Sequence, residues 1–180
     1  MKKLYVFLIA LLAFSSSFAQ SYSRAESETR CNTLGNERAT SLNAQDYKGL
    51  RSVVKWGIDN CKSFLDRDSY YEQYGDLALA ERSLGNFQTA MKAVDECIKN
   101  RYGLPHCHIE KVAINIDLRN TKEAIQGAKT FKLIASDAID KKKKALANSS
   151  LRNYERDAIE SELSSYEAML GFANRFLDGQ

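Results

Sequence analysis

Apolar residues recur in steps of three and four along much of this chain, and that spacing narrows what it can fold into. Phe87, Ala90, Val94, Cys97 and Ile98 fall on one side of a helix drawn through them. The same beat returns at Ala124, Ala128, Phe131, Ala135 and Ala138, and again at Ile159, Leu163, Tyr166, Leu170, Ala173 and Leu177. A single proline, Pro105, and widely spaced glycines give little punctuation for a many-stranded sheet, while Ala, Leu, Lys, Glu and Arg are abundant. The expected class is all-α. Turn chemistry gathers at 43–46, 66–69, 84–86, 100–105, 119–121 and 148–150, which predicts helices over 26–43, 47–64, 69–84, 87–101, 105–118, 121–147 and 151–177. Short turns between them imply antiparallel neighbours.

Residues 1–19 have the parts of a cleavable export signal. Lys2 and Lys3 precede the apolar run Leu4 to Phe14, and Ser17-Phe18-Ala19 offers small, large, small before a cut after Ala19. The run is about half of the roughly 20 residues a membrane-spanning helix needs, so no stable membrane insertion is expected after cleavage. No cysteine stands at the cut, which leaves a lipid-modified N-terminus unsupported. The expected location is the bacterial periplasm or the exterior. Removing Lys2 and Lys3 leaves 24 basic side chains against 23 acidic ones, a formal charge of +1, which gives no reason to expect a nucleic-acid partner. About 160 residues suit one domain with a sizeable core.

Asn86 is followed 34 residues later by Asn120, and Ala90 by Ala124, each near the start of a hairpin's second helix. That is the period of tetratricopeptide repeats, and the middle unit resembles the family best. Tyr74, Leu77 and Ala78 fill its aromatic, Leu and small positions. Gly85-Asn86-Phe87 is similar to its inter-helix turn, and Ala90 with Val94 to its second-helix pair. In the third unit Asn120, Ala124 and Ala128 keep their positions, but Lys111 and Asn115 stand where the family has Leu and Tyr. In the first, Asp46-Tyr47 resembles the turn and Leu50 with Val54 the pair, while Glu37 and Arg38 replace Leu and Gly. The step from first unit to second is 40 residues, so an extra turn or longer helix is expected near Asp66. The likeness covers about 31–135. It implies antiparallel helical hairpins stacked as a short tetratricopeptide-like solenoid over 20–135, with 136–180 as a long capping hairpin in the same domain. Alternatively, Tyr154, Tyr166, Phe172 and Phe176 form a dimer seam; the oligomeric state stays open.

Cys31, Cys61, Cys97 and Cys107 make an even count, which in an oxidising compartment points to two disulfides with three pairings on paper. In a hairpin the start of the first helix lies beside the end of the second, which brings Cys31 towards Cys61. Cys97 and Cys107 bracket the turn between one hairpin and the next. The set also resembles the disulfide-bearing Sel1-like repeats, whose first-helix pattern is similar to Cys31-Asn32-Thr33-Leu34-Gly35.

In tetratricopeptide arrays the first helix of each hairpin lines a groove. The resemblance therefore implies groove positions at Asn32 and Asn36 in the first unit. Glu72, Asp76, Arg82, His106 and Glu110 follow in the next two, and of these Glu72, Asp76 and Glu110 tilt the groove towards acidity and a partner segment with Lys or Arg. The Lys and Asn set with which family members clamp a C-terminal carboxylate is missing.

Catalytic and metal chemistry find less footing. His106, Cys107 and His108 are the one ligand-capable cluster, yet consecutive helical residues point about 100° apart and no second cluster has zinc spacing. Nor is there a C-x-x-C-H haem signature, a recognisable triad order or a Gly-rich phosphate loop. No metal, cofactor or enzymatic activity is expected. Lys141 to Lys144, with Arg152 and Arg156 beyond, is diluted by Asp137, Asp140, Glu155 and Asp157 and reads as a solvated helix end. The functional expectation is an exported, non-catalytic scaffold binding a protein or peptide in the cell envelope. Its rivals are a structural or inhibitory envelope protein built as a plain bundle, and a hydrolase or metal-dependent enzyme.

Overall fold

Local start signals are strong along this chain, and they set where its helices begin. The computed structural model describes residues 23–101, 103–147 and 150–180, so the expected export signal lies outside the described residues. Ser23 and Glu26 form a capping box: the Ser23 amide donates to the Glu26 carboxylate at 2.7 Å, and the Glu26 amide donates to Ser23 Oγ at 3.3 Å. The Ser23 amide, and then its hydroxyl, hold the Glu26 carboxyl below its ordinary range. Asp66 accepts from the Ser69 hydroxyl and from the amides of Asp68 and Ser69, and the Ser69 bonds lower its carboxyl too. Pro105 opens its helix at the first turn, where a missing amide costs nothing.

The result is seven helices, with no strand among the described residues: α1 (Arg24–Asn43), α2 (Tyr47–Asn60), α3 (Arg67–Ser83), α4 (Phe87–Asn100), α5 (Pro105–Asp117), α6 (Thr121–Leu146) and α7 (Asn153–Asp178). Each packs on the next, and α5 also packs on α3 and α7. The architecture is all-α, three stacked hairpins (α1/α2, α3/α4, α5/α6) followed by α7, in tetratricopeptide-like order. No helix among the described residues is long and apolar enough to cross a membrane.

The hairpin turns show the repetition most plainly. In each, the residue before the second helix's N-cap is left-handed: Gln45 at φ 53°, Gly85 at φ 80° and Arg119 at φ 59°. The following N-cap amide then donates back to the first helix, Asp46 to Ser41 at 2.9 Å, Asn86 to Glu81 at 2.8 Å and Asn120 to Asn115 at 2.8 Å. This is one helix-ending motif used three times, with the same carbonyls satisfied each time. Glycine is spared the left-handed cost only in the middle turn.

Packing follows the expected division between small and large. Ala78 and Ala90 are wholly buried where α3 meets α4, beside Val94, Cys97 and Ile114. Gly57 lets Gln73 and Leu34 close in, since a Cβ there would sit 1.8 Å from the Gln73 oxygen. Phe131, Leu34, Leu50 and Ile114 are the largest sealed apolar side chains, each stabilising by about 1.5–3 kcal/mol through burial. Asn115, which replaces an aromatic of the repeat pattern, is buried but satisfied: its Nδ2 donates to the Lys111 carbonyl at 3.0 Å and its Oδ1 accepts from Asn120 at 3.4 Å.

Cys31 lies beside Cys61 and Cys97 beside Cys107 at disulfide distance, with Cα atoms 5.6 Å and 6.2 Å apart. The first pair ties the open ends of hairpin one, and the second ties α4 to α5. The helix expected over 47–64 ends earlier, at Asn60. Cys61 caps it, and the Phe64 and Leu65 amides both donate to the Cys61 carbonyl, so the chain turns there. Phe64 and Leu65 keep the apolar beat because they pack on Cys31, Leu34 and Cys61 after that turn. This turn also accounts for the 40-residue step. Residues 135 and 136 both lie in α6, which the stacked and C-terminal parts therefore share.

Candidate functional site

Arginines on the first helices decide how successive hairpins meet. Arg38 of α1 reaches α3, its Nε donating to Asp76 Oδ2 at 2.6 Å, with Glu72 at 3.9 Å from the same guanidinium. One hairpin on, Arg82 of α3 donates from Nε to Glu110 of α5 at 2.5 Å and from Nη1 to Asp117 at 3.1 Å. Between these pairs Gly75 presents bare backbone to α5: a Cβ there would meet the His106 ring at 2.5 Å. Further along, α5 packs on α7, with Ile109 of the one and Met169 and Leu170 of the other closing on the same core of Phe131, Ala135 and Ala173. The first helices α1, α3, α5 and α7 are thus joined side by side into one face.

Of the residues expected to line a groove, Asn32 and Asn36 are exposed on α1. Asp76, Arg82 and Glu110 are engaged in the ion pairs just described, so the expected acidity is offset on the face itself by Arg38 and Arg82. Glu72 is the least neutralised acid, sharing one distant guanidinium with Asp76. Burial raises its carboxyl above the ordinary range; His106 and Arg38 pull it down, and Asp76 and Glu162 push it up again. Burial also raises Glu110, outweighing its bonds to Arg82. Tyr166 of α7 is raised by burial and by the charges of Glu162, Glu72 and Asp68, which places α7 within electrostatic reach of the start of α3.

Arg38 and Asp117 were not among the expected site residues. A charge in the family's small-residue position was the available signal for Arg38; nothing local marked Asp117. The basic run is largely paired, Lys141 with Asp137 at 2.6 Å, Lys142 with Glu162 at 2.5 Å and Lys143 with Glu167 at 3.0 Å. The last two join α6 to α7, and all three disperse the charge. Of the aromatic set offered as a seam, Tyr154 and Phe172 are exposed while Tyr166 and Phe176 are partly buried.

As expected, His106, Cys107 and His108 do not share one point, although the first two of them do. His106 and Cys107, though consecutive, converge: His106 Nε2 lies 3.4 Å from Cys107 Sγ. The reason is position in the first turn of α5, where the imidazole folds back under Gly75. Cys97 of α4 completes the group, with all three ligand atoms within 4.8 Å of one another. His108 is buried on another side, lining a cleft of about 660 Å³ with Met91, Ile98 and Lys111. All four cysteines are paired, so none is available as a free thiol nucleophile.

No family model matches the chain, and no curated protein does. Among solved structures it is similar to PcrH from Pseudomonas aeruginosa, at 15% identity and a TM-score of 0.48, over 79% of this chain and 92% of that one.

Proposed function

We propose that this protein is an exported scaffold of the bacterial envelope, periplasmic or secreted, that holds a polypeptide partner on its first-helix face and performs no chemistry. The observation that carries this reading is the cross-helix ladder, Arg38 to Asp76 and Arg82 to Glu110, which fixes α1, α3 and α5 as one continuous surface. A face locked before binding loses little conformational entropy when a partner docks. Glu72 is the acid left to receive a cation, and Asn32 and Asn36 extend the surface with exposed amides. The partner class is therefore a segment carrying Lys or Arg, without nucleic acid. The two bridges are those of a disulfide-bearing, Sel1-like variant of the repeat.

A stable bundle without a partner draws on the same ion pairs, since Asp76, Arg82 and Glu110 are satisfied within the chain. Affinity capture with the bridges intact, followed by titration of the captured protein against Glu72→Lys, separates the two. Weakening by about tenfold, near 1.4 kcal/mol, is expected from reversing the charge that receives the cation. An unchanged affinity contradicts the reading.

A further inference from the structure

We propose that Cys97, His106 and Cys107 form a zinc-binding site that the Cys97–Cys107 disulfide closes and its reduction opens. The ligand atoms belong to two helices: the two sulfurs are held together by their bond, and the His106 ring brings a nitrogen within 4.8 Å of both. On a tetrahedral zinc, with N at about 2.0–2.1 Å and S at about 2.3 Å, a nitrogen and a sulfur ligand stand about 3.5 Å apart. His106 Nε2 and Cys107 Sγ are 3.4 Å apart, so this edge of the tetrahedron is in place before any ion arrives.

The second edge needs the bonded sulfurs to separate to about 3.8 Å. Their Cα atoms are 6.2 Å apart, and once the bond is broken a rotation at Cys97 alone opens that distance while Cys107 Sγ keeps its place beside His106.

Two features set this group apart from a structural disulfide. Gly75 leaves the imidazole room beside the sulfur: a Cβ there would lie 2.5 Å from both Cδ2 and Nε2 of His106 and 3.3 Å from Cys107 Sγ. The ring is also only partly buried while both sulfurs are sealed, so the imidazole side is the route by which an ion enters. The Cys31–Cys61 bridge has no histidine beside it, since the chain's only two are His106 and His108.

The chemistry balances with a dithiol reductant. It transfers two electrons and two protons to the disulfide, leaving two thiols and becoming a disulfide itself. Zn²⁺ then displaces both thiol protons and takes two thiolates and the Nε2 lone pair, with water in the fourth position. An oxidising compartment keeps the site shut, and a reducing one opens it.

Cobalt, the spectroscopically visible stand-in for zinc, tests this with the untagged full chain. The chain reduced by a phosphine should take up one Co²⁺ with sulfur-to-metal charge-transfer bands, zinc should bleach them, and the oxidised chain should bind none. Cys97→Ser and His106→Gln should each weaken uptake by more than about tenfold, the loss that removing even a supporting group causes, while Cys61→Ser leaves it unchanged. Uptake that survives either Cys97→Ser or His106→Gln, or that needs Cys61, overturns the proposal. So does a reduced chain that takes up no cobalt, whether or not circular dichroism shows it still helical.

Discussion

Removing the Cys31–Cys61 bridge should destabilise the chain more than removing Cys97–Cys107. A crosslink acts chiefly by restricting the unfolded chain, and its effect grows with the loop it closes. Cys31 and Cys61 are 30 residues apart in sequence, Cys97 and Cys107 only 10. The loop-closure relation gives about 3.7 kcal/mol for the longer loop and about 2.7 kcal/mol for the shorter one. Each bridge is buried in an apolar cluster, with Leu34, Trp56 and Phe64 around the first and Ala90, Val94 and Leu104 around the second, so lost packing adds to both. The difference of about 1 kcal/mol then rests on the threefold ratio of loop lengths. The comparison uses Cys31→Ala/Cys61→Ala and Cys97→Ala/Cys107→Ala, unfolded in urea without reductant. A larger loss from the second pair, or losses below about 1 kcal/mol for both, would refute the loop argument.

Arg119→Gly and Gln45→Gly should each raise stability by about 0.5–1 kcal/mol, since a side chain in the left-handed region costs more than glycine's extra freedom in the unfolded chain. Gly85→Ala should lower it by about 1 kcal/mol; thermal melts that reverse either sign count against the shared turn. Arg82→Ala should cost about 2 kcal/mol in urea unfolding, because it leaves Glu110 nearly buried without its partner. This is less than for a sealed pair, since the Arg82 side chain is a quarter exposed. The pH dependence follows from the raised Glu110 carboxyl: the folded chain holds its proton more tightly than the unfolded one, whose value is near 4.5. That contribution is complete below 4.5 and is lost as pH rises through the folded value. Glu110→Gln should therefore gain stability relative to the parent chain over that rise, and a relative loss would show the sign to be wrong.

Much of the fold was legible because it is written locally. The three-and-four beat and the turn chemistry at 66–69 and 100–105 place helix starts within a few residues, and Asn86 and Asn120 mark equivalent turns. Cysteines at the open ends of a hairpin and across a turn had few geometric choices, and both pairings follow from helix placement. The end of α2 was harder, because Phe64 and Leu65 sustain the apolar rhythm through a non-helical turn. Gln45 and Arg119 carry no sign of their left-handed backbone, which the surrounding bonds impose.

The site was less readable for a different reason. Arg38 and Asp76 are separated by 38 residues, and Arg82 and Glu110 by 28, so their pairing exists only once the hairpins stack. The same holds for the His106 ring, which lies against Gly75 about 30 residues earlier in the chain. The rule that neighbouring helical residues diverge describes a regular helix, and here the first turn of α5 lies against a glycine of α3.

The central claim is that the first helices, and not the second, hold the partner. Photo-cross-linking residues placed singly at Asn36 and Glu72, on α1 and α3, and at Lys55 and Lys92, exposed on α2 and α4, test it directly. Covalent capture of the partner from Asn36 and Glu72 alone is the predicted result; capture from Lys55 or Lys92 with none from the first two would contradict it.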